Sequence, residues 1–284
     1  MWYRGFGGAI VLCCAATVIN ASEVGCAEAN RYDAPEAVQG VAVDDEHFYA
    51  IANSVIAKYH RPTGGLLIRW AASRDVPLKH LNAGVVRDNR LYCAHSNYPE
   101  FPATSSIEVF DCDTLEHVES HSFGIYEGSL TAVDWHDGAW WCVFAHYSKK
   151  VNDDPLAKPH TYTSLVKFDS EWRRLGGWVF PEEVLDRFSP HSCSGAVWGS
   201  DGVLYCTGHD LPEVYRLVLP RSGSKLKLLS TERVPFPGQG IACERGPAAA
   251  TQAQRLWGII RPERKVVAVE LRTTDNALRP VVSR

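Results

Sequence analysis

Residues 194–223 read SGAVWGSDGVLYCTGHDLPEVYRLVLPRSG, and this stretch decides the fold. A small-residue start leads into Ala196-Val197-Trp198, then an Asp201-Gly202 turn and a second apolar run ending at Cys206. His209 and Pro212 follow, and a third run goes from Val214 to Val218. Apolar runs of this length, bounded by glycine and aspartate turns, are the pattern of short antiparallel strands. The pattern recurs four more times: QGVAVDDEHFYAIAN from Gln39, NAGVVRDNRLYCAH from Asn82, LTAVDWHDGAWWCVFAH from Leu130, and QGIACERG from Gln239, which resumes as RLWGIIR at Arg255.

A third strand follows each time (VIAKYHRPTG, SSIEVFDCDT, TSLVKFDSE, EVYRLVLPRSG, KVVAVELRT), and a weaker fourth, such as LLIRWAA or LEHVESHSF, follows the first four. Four strands per repeat of roughly 40–50 residues is the spacing of a propeller blade. The expected fold is all-β, a five-bladed β-propeller. Its last blade is completed by the segment Ala29–Ala37, so that strands from both ends of the chain close the ring and leave no free sheet edge at the seam. A β-sandwich is the other all-β architecture for such strands, but it gives no reason for repeats this regular.

The chain of 284 residues is 45% hydrophobic and 22% charged, enough for one packed domain. Net charge is −4 with no Lys/Arg stripe, which excludes a nucleic-acid partner. Residues 1–27 carry Arg4, an apolar run from Gly5 to Ile19 and small residues at Ala21 and Ala27, the layout of a secretory signal too short for a comfortable membrane span. A retained N-terminal anchor is the rival reading, and Glu23 argues against a lipoprotein site at Cys26. The expected division is a signal peptide, 1–27, and one propeller domain, 28–284, with no membrane span in the mature chain and a secreted or periplasmic location. Cys93, Cys142 and Cys206 fall at equivalent places in their repeats, too far apart to bridge, and read as small buried hydrophobes; a pair through Cys193 or Cys243 stays open.

In a blade, the loop before the first strand and the loop after the second share one mouth of the ring. The second strands end at Asn53, His95, His146, His209 and Arg261. The first strands are led in by Gln39, by His80 with Asn82, by Glu127 with Ser129, by His191 with Ser194, and by Gln239. Five of the eleven histidines therefore gather at one mouth, with Glu100, Glu127, Asp210 and Glu213 near enough to pair with them. Imidazole exchanges protons near neutral pH, and a carboxylate fixes its tautomer. His95, His146, His191 and His209, with Glu127 or Asp210 to orient them, are the expected acid–base set. Gln39, Asn53, His80, Asn82, Asp210, Gln239 and Arg261 are the expected substrate contacts, Arg261 meeting a carboxylate. The ordinary alternative is that such histidines tie blades together. The insertion Ser148–Tyr162 reads as a loop over the same mouth, with Lys149 and Lys150 as solvated charge or as contacts for an anion.

No Gly-x-Ser-x-Gly, phosphate loop or nucleotide fingerprint is present. Proton-transfer, lyase, isomerase or lactone chemistry on a small molecule fits better than acyl-enzyme chemistry. No cofactor is expected and no metal ligand is assigned. A divalent metal among the imidazoles, giving a lactonase or hydrolase, is one alternative, and a non-catalytic ligand- or protein-binding propeller is the other.

The stretches QGVAVDDEHFYAI, LYCAHSNYPE, HSFGIYEGSLT, WWCVFAHY and GAVWGSDGVLYCTGHDLPEVYRL, within residues 32–271, resemble a group of exported bacterial propellers labelled "cycloisomerase". That label rests on distant similarity to propeller-type muconate lactonising enzymes, which have seven blades, so none of their catalytic residues is carried over. Gln39-Gly40 and Phe48-Tyr49 also resemble the opening of the five-bladed glutaminyl cyclotransferases. The resemblance implies a ring-making or ring-opening enzyme.

Overall fold

A computed structural model describes residues 26–150, 155, 157–245 and 253–272. Twenty strands form five four-stranded antiparallel sheets set in a ring, the expected five-bladed propeller. Blade one holds β2 (Gly40–Val43), β3 (His47–Ala52), β4 (Val55–His60) and β5 (Leu66–Ala71). Blade two holds β6 (His80–Arg87), β7 (Arg90–Ser96), β8 (Ser105–Asp111) and β9 (His117–Gly124). Blade three holds β10 (Ser129–His136), β11 (Ala139–Ala145), β12 (Ser164–Phe168) and β13 (Arg174–Val179). Blade four holds β14 (Gly195–Trp198), β15 (Leu204–Thr207), β16 (Glu213–Val218) and β17 (Lys227–Arg233). Blade five is β18 (Ala242–Cys243), β19 (Ala253–Ile260), β20 (Lys265–Arg272) and, on its outer side, β1 (Cys26–Asp33).

The closing strand runs from Cys26 opposite Leu271 to Asp33 opposite Lys265. It starts and stops earlier than the expected Ala29–Ala37. Pro35 has no N–H to extend the ladder, and the chain instead turns there, with the Ala37 N–H on the Ala34 carbonyl at 2.8 Å. The expected signal peptide falls almost wholly outside the described residues; Cys26 and Ala27 are already paired in β1.

Burial explains why three strands of each repeat are plain in the sequence and the fourth is not. β11 is buried at every position, whereas β9 is exposed at six of eight. A strand packed on both faces must be apolar throughout, and an outer strand need not be. The hairpin turns obey their chemistry. Asp88-Asn89 and Asp137-Gly138 take positive φ (51° and 58°, 49° and 69°), the conformation of a tight primed turn. One element was not expected, the helix α1 (Glu182–Phe188) between blades three and four, which buries Val184, Leu185 and Phe188.

Each seam between blades is stitched close to the axis. Leu81 N–H donates to Asn53 O at 2.8 Å, and Asn82 Nδ2 to Leu130 O at 3.0 Å. Thr131 Oγ1 donates to Cys193 O at 2.9 Å, Thr207 Oγ1 to Gln239 O at 2.6 Å, and Gly240 N–H to Gln39 O at 2.9 Å. These five bonds go once round the ring. At the waist the blades meet: a Cβ on Gly240 would lie 2.9 Å from Ala83 Cβ and 3.0 Å from Gly40 Cα. Blades two and five are not neighbours, so this contact crosses the axis and separates the hollows at the two faces. The seven described cysteines are all free thiols, so neither Cys193 nor Cys243 is bridged.

Candidate functional site

The mouth expected from the sequence encloses a cavity of about 110 Å³. It is lined by Gln39, His80, Asn82, Ser194, Gln239 and Arg261 from strand ends, with His191, His209, Tyr98, Tyr147 and Lys149 from loops. At its centre, His191 and His209 stack with ring centroids 3.9 Å apart and planes at 26°. Asp210 serves both: its Oδ2 lies 2.7 Å from His191 Nδ1 and its Oδ1 lies 2.6 Å from His209 Nδ1. With each Nδ1–H donated to the carboxylate, each Nε2 keeps its lone pair, and neither Nε2 has a partner among the described residues.

The electrostatics follow from that geometry. Burial lowers the His209 pKa, opposed by the Asp210 hydrogen bond and helped by the neighbouring His191. Burial works to raise the Asp210 carboxyl, but the hydrogen bonds from His209 and His191 outweigh it and the net shift is downward. His80, on the same cavity, is held neutral, its pKa pushed down to about 4 by burial and by the nearby His95 and Arg261.

Arg261 is fixed before any ligand arrives. Nε donates to Val38 O at 2.6 Å, and Nη2 donates to Gln39 Oε1 at 3.0 Å and Gln239 Oε1 at 2.6 Å. Gln39 Nε2 reaches on to Asn53 Oδ1 at 2.5 Å, and Gln239 Nε2 to His209 O at 3.1 Å. Nη1 makes no hydrogen bond among the described residues. Burial and Arg264 lower the Arg261 pKa, but a guanidinium stays charged in proteins. Gln39, Gln239 and Asn53 therefore position Arg261, and Asn82 joins blades two and three.

Three of the expected acid–base residues are placed otherwise. His95 is 8% exposed and fully committed: Nε2 accepts from Lys79 N–H at 3.2 Å, and Nδ1 lies 3.0 Å from Ser106 Oγ, which donates to Glu108 at 2.5 Å. Its repeat position is right, but the ring turns between strands rather than to the axis. His146 lines a separate lateral pocket, bonded to the Glu127 carbonyl, with burial and Lys158 pushing its pKa down to about 4. The Glu127 carboxylate orients no imidazole; Arg174 Nη1 holds it at 2.8 and 3.0 Å on the outside of blade three. Glu100 and Glu213 likewise pair with Lys79 and Arg187. Tyr98 and Tyr147 were missed by the sequence reading. Both lie just beyond a repeat histidine or asparagine in the loops after β7 and β11, and an aromatic at that point in two repeats was the available signal.

His191, His209 and Asp210 are the one group of three among the described residues with ligand atoms close enough for a metal, within 4.8 Å of one another. Both carboxylate oxygens are already engaged, and Arg261 and Lys149 share the cavity, so the surroundings favour an anion over a divalent cation. A larger hollow of about 190 Å³ opens at the opposite face. Most of its charged groups are paired: Arg61 binds Glu244, Arg245 binds the buried Asp134, and Asp44 bonds His47 and Tyr49. The smaller mouth, with unpartnered Nε2 and Nη1 atoms, is the better candidate for chemistry.

Neither family models nor curated proteins match this sequence. Among solved structures, a luciferin-regenerating enzyme is similar over 86% of this chain and 95% of that one, with TM-score 0.51 and 10% identity. The WD40 repeats of RRP9 align over 82% of this chain and 79% of that one, with TM-score 0.47 and 10% identity. At such identity the first likeness speaks for the propeller fold alone, and the second carries no argument.

Proposed function

We propose that this propeller is an exported enzyme that makes or opens a ring in a small carboxylated molecule by histidine acid–base chemistry. One observation carries the reading: Asp210 holds two stacked imidazoles by their Nδ1 atoms and leaves two Nε2 lone pairs in a cavity that also presents Arg261. Two imidazolium charges 3.9 Å apart would repel by about 4 kcal/mol at an effective dielectric of about 20. Repulsion of that size keeps both rings from being charged at once, so while one Nε2 takes up a proton from the substrate the other stays neutral. Arg261 Nη1 anchors the carboxylate, and His80, kept neutral, accepts a hydrogen bond from the substrate. Positioned proton transfer of this kind contributes about 10²–10⁴-fold in rate.

The test is turnover of a panel of small lactones and unsaturated dicarboxylates by the wild-type protein and by His209→Ala and Asp210→Asn. Loss of turnover by at least about a hundredfold in His209→Ala supports the reading. Binding without turnover in every case gives the non-catalytic binding propeller instead. Turnover that needs a stoichiometric metal gives the metal-dependent hydrolase.

A further inference from the structure

Two hollows at the histidine mouth share a wall. The axial cavity of about 110 Å³ and a lateral pocket of about 10 Å³ are both lined by Tyr98 and Tyr147. The lateral pocket is otherwise mostly apolar, with Phe101, Ala103 and Ala145 beside His146. At its present size it has room for about one water.

The two tyrosines are secured differently. Tyr147 bonds through its hydroxyl to Ser129, whose Oγ donates to Ser96 Oγ at 2.9 Å. The Tyr98 hydroxyl has no hydrogen bond among the described residues. Ring contacts alone hold it: His80 and Tyr147 at 5.0 Å between centroids, and Lys149 Nζ at 5.6 Å from its ring centre. Tyr98 and Tyr147 each sit two residues beyond their strands, β7 and β11, so the hydroxyl bond is what distinguishes them. Turning Tyr98 off His80 breaks no hydrogen bond and joins the pocket to the cavity.

We propose that Tyr98 is the specificity-determining wall of this site. A ligand with its head at Arg261 displaces Tyr98 and lays an apolar tail among Phe101, Ala103 and Ala145, beside His146. The substrate class is then a small carboxylate bearing an apolar substituent. The head-group part rests on the function proposed above; the wall does not. The lateral pocket also gives His146 a part that the axial cavity alone denies it, next to the tail and not at the reacting atoms.

Calorimetry with two ligand pairs separates the two parts: benzoate with biphenyl-4-carboxylate, and benzamide with biphenyl-4-carboxamide. Tyr98→Ala should bind both biphenyl ligands at least about tenfold more tightly than wild type, the worth of burying part of a phenyl ring. Tyr98→Phe should match wild type, and Tyr98→Leu should give a smaller gain in the same direction. If neither biphenyl ligand gains in Tyr98→Ala or Tyr98→Leu, the wall assignment is wrong. If the amide gains as much as the acid and benzoate binds no better than benzamide, the wall stands and the carboxylate reading falls.

Discussion

His191 and His209 face each other at 3.9 Å across a shared carboxylate partner, Asp210, although seventeen residues of chain, including all of β14 and β15, lie between them. A hairpin brings the loop before one strand beside the loop after the next, so the pairing is a direct product of the blade. The first prediction concerns its proton. Burial lowers the His209 pKa and Asp210 partly restores it. Titration of the imidazole by NMR should give a midpoint below the ordinary value of about 6.5, and Asp210→Asn should move it lower still. An unchanged midpoint in Asp210→Asn would mean that the carboxylate is a bystander.

The histidines at the mouth should divide into two kinds. His95→Ala should cost about 1–3 kcal/mol of stability, since it takes away the partner of the Lys79 N–H and one partner of Ser106 Oγ, and should leave ligand affinity nearly unchanged. His209→Ala should do the reverse. Glu127→Gln should change neither, because its partner Arg174 is half exposed and such a pair is worth about 0–1 kcal/mol. Urea denaturation beside ligand titration reads both effects, and a His95 variant with native stability but no function would reverse the assignment.

Acid should loosen the fold through His80 and His146. Both have pKa values near 4 when folded and about 6.5 when unfolded. Between those values the unfolded chain binds more protons, so stability is complete above about pH 6.5 and declines as pH falls towards 4. His146→Gln should flatten that decline in a series of melting curves. A steeper decline would contradict the burial that sets the shift.

Arg261→Lys should weaken binding of a carboxylate by about tenfold and also lower stability, because an ammonium cannot reach Val38, Gln39 and Gln239 together. Gln39→Ala should show a weaker version of the binding defect through the freed guanidinium. Full affinity in Arg261→Lys would remove Arg261 from the site.

At the waist, Gly240→Ala should destabilise by about 1–3 kcal/mol, the usual cost of overpacking, because the added methyl meets Ala83 and Gly40. A variant as stable as wild type would show that the axis is looser than these contacts require.

Blade count, strand order and the face that gathers histidines were legible because they depend on repeat spacing and on which strands must be apolar. The direction of each side chain was not. His95 and His146 end equivalent strands, yet one ring lies under the Lys79 backbone and the other under Gly128. A bulge between Leu81 and Gly84, and another between Leu130 and Ala132, shift the register of the inner strand pair in these two blades, whereas the described inner pairs of the other three are in step. A slip of one residue turns a side chain to the other face, and repeats read by eye do not reveal bulges. Asp210, by contrast, was expected both as a substrate contact and as one of two carboxylates to orient the imidazoles; it bonds to His191 and His209, while Glu127 bonds to Arg174.

The pairing of β1 with β20 also has a consequence for how the molecule is made. A ribosome delivers residues 26–33 before every other strand of the ring, but their partners at 265–272 come only after nearly the whole ring has been synthesised. Until then the leading strand has nothing to add itself to, and the fifth blade lacks its outer member. The final step of assembly therefore joins the earliest and latest described parts of the chain, a pairing of very high sequence separation that slows closure. Pulling these two strands apart would undo that blade first, while the histidine pair lies in the loops of the neighbouring blade four.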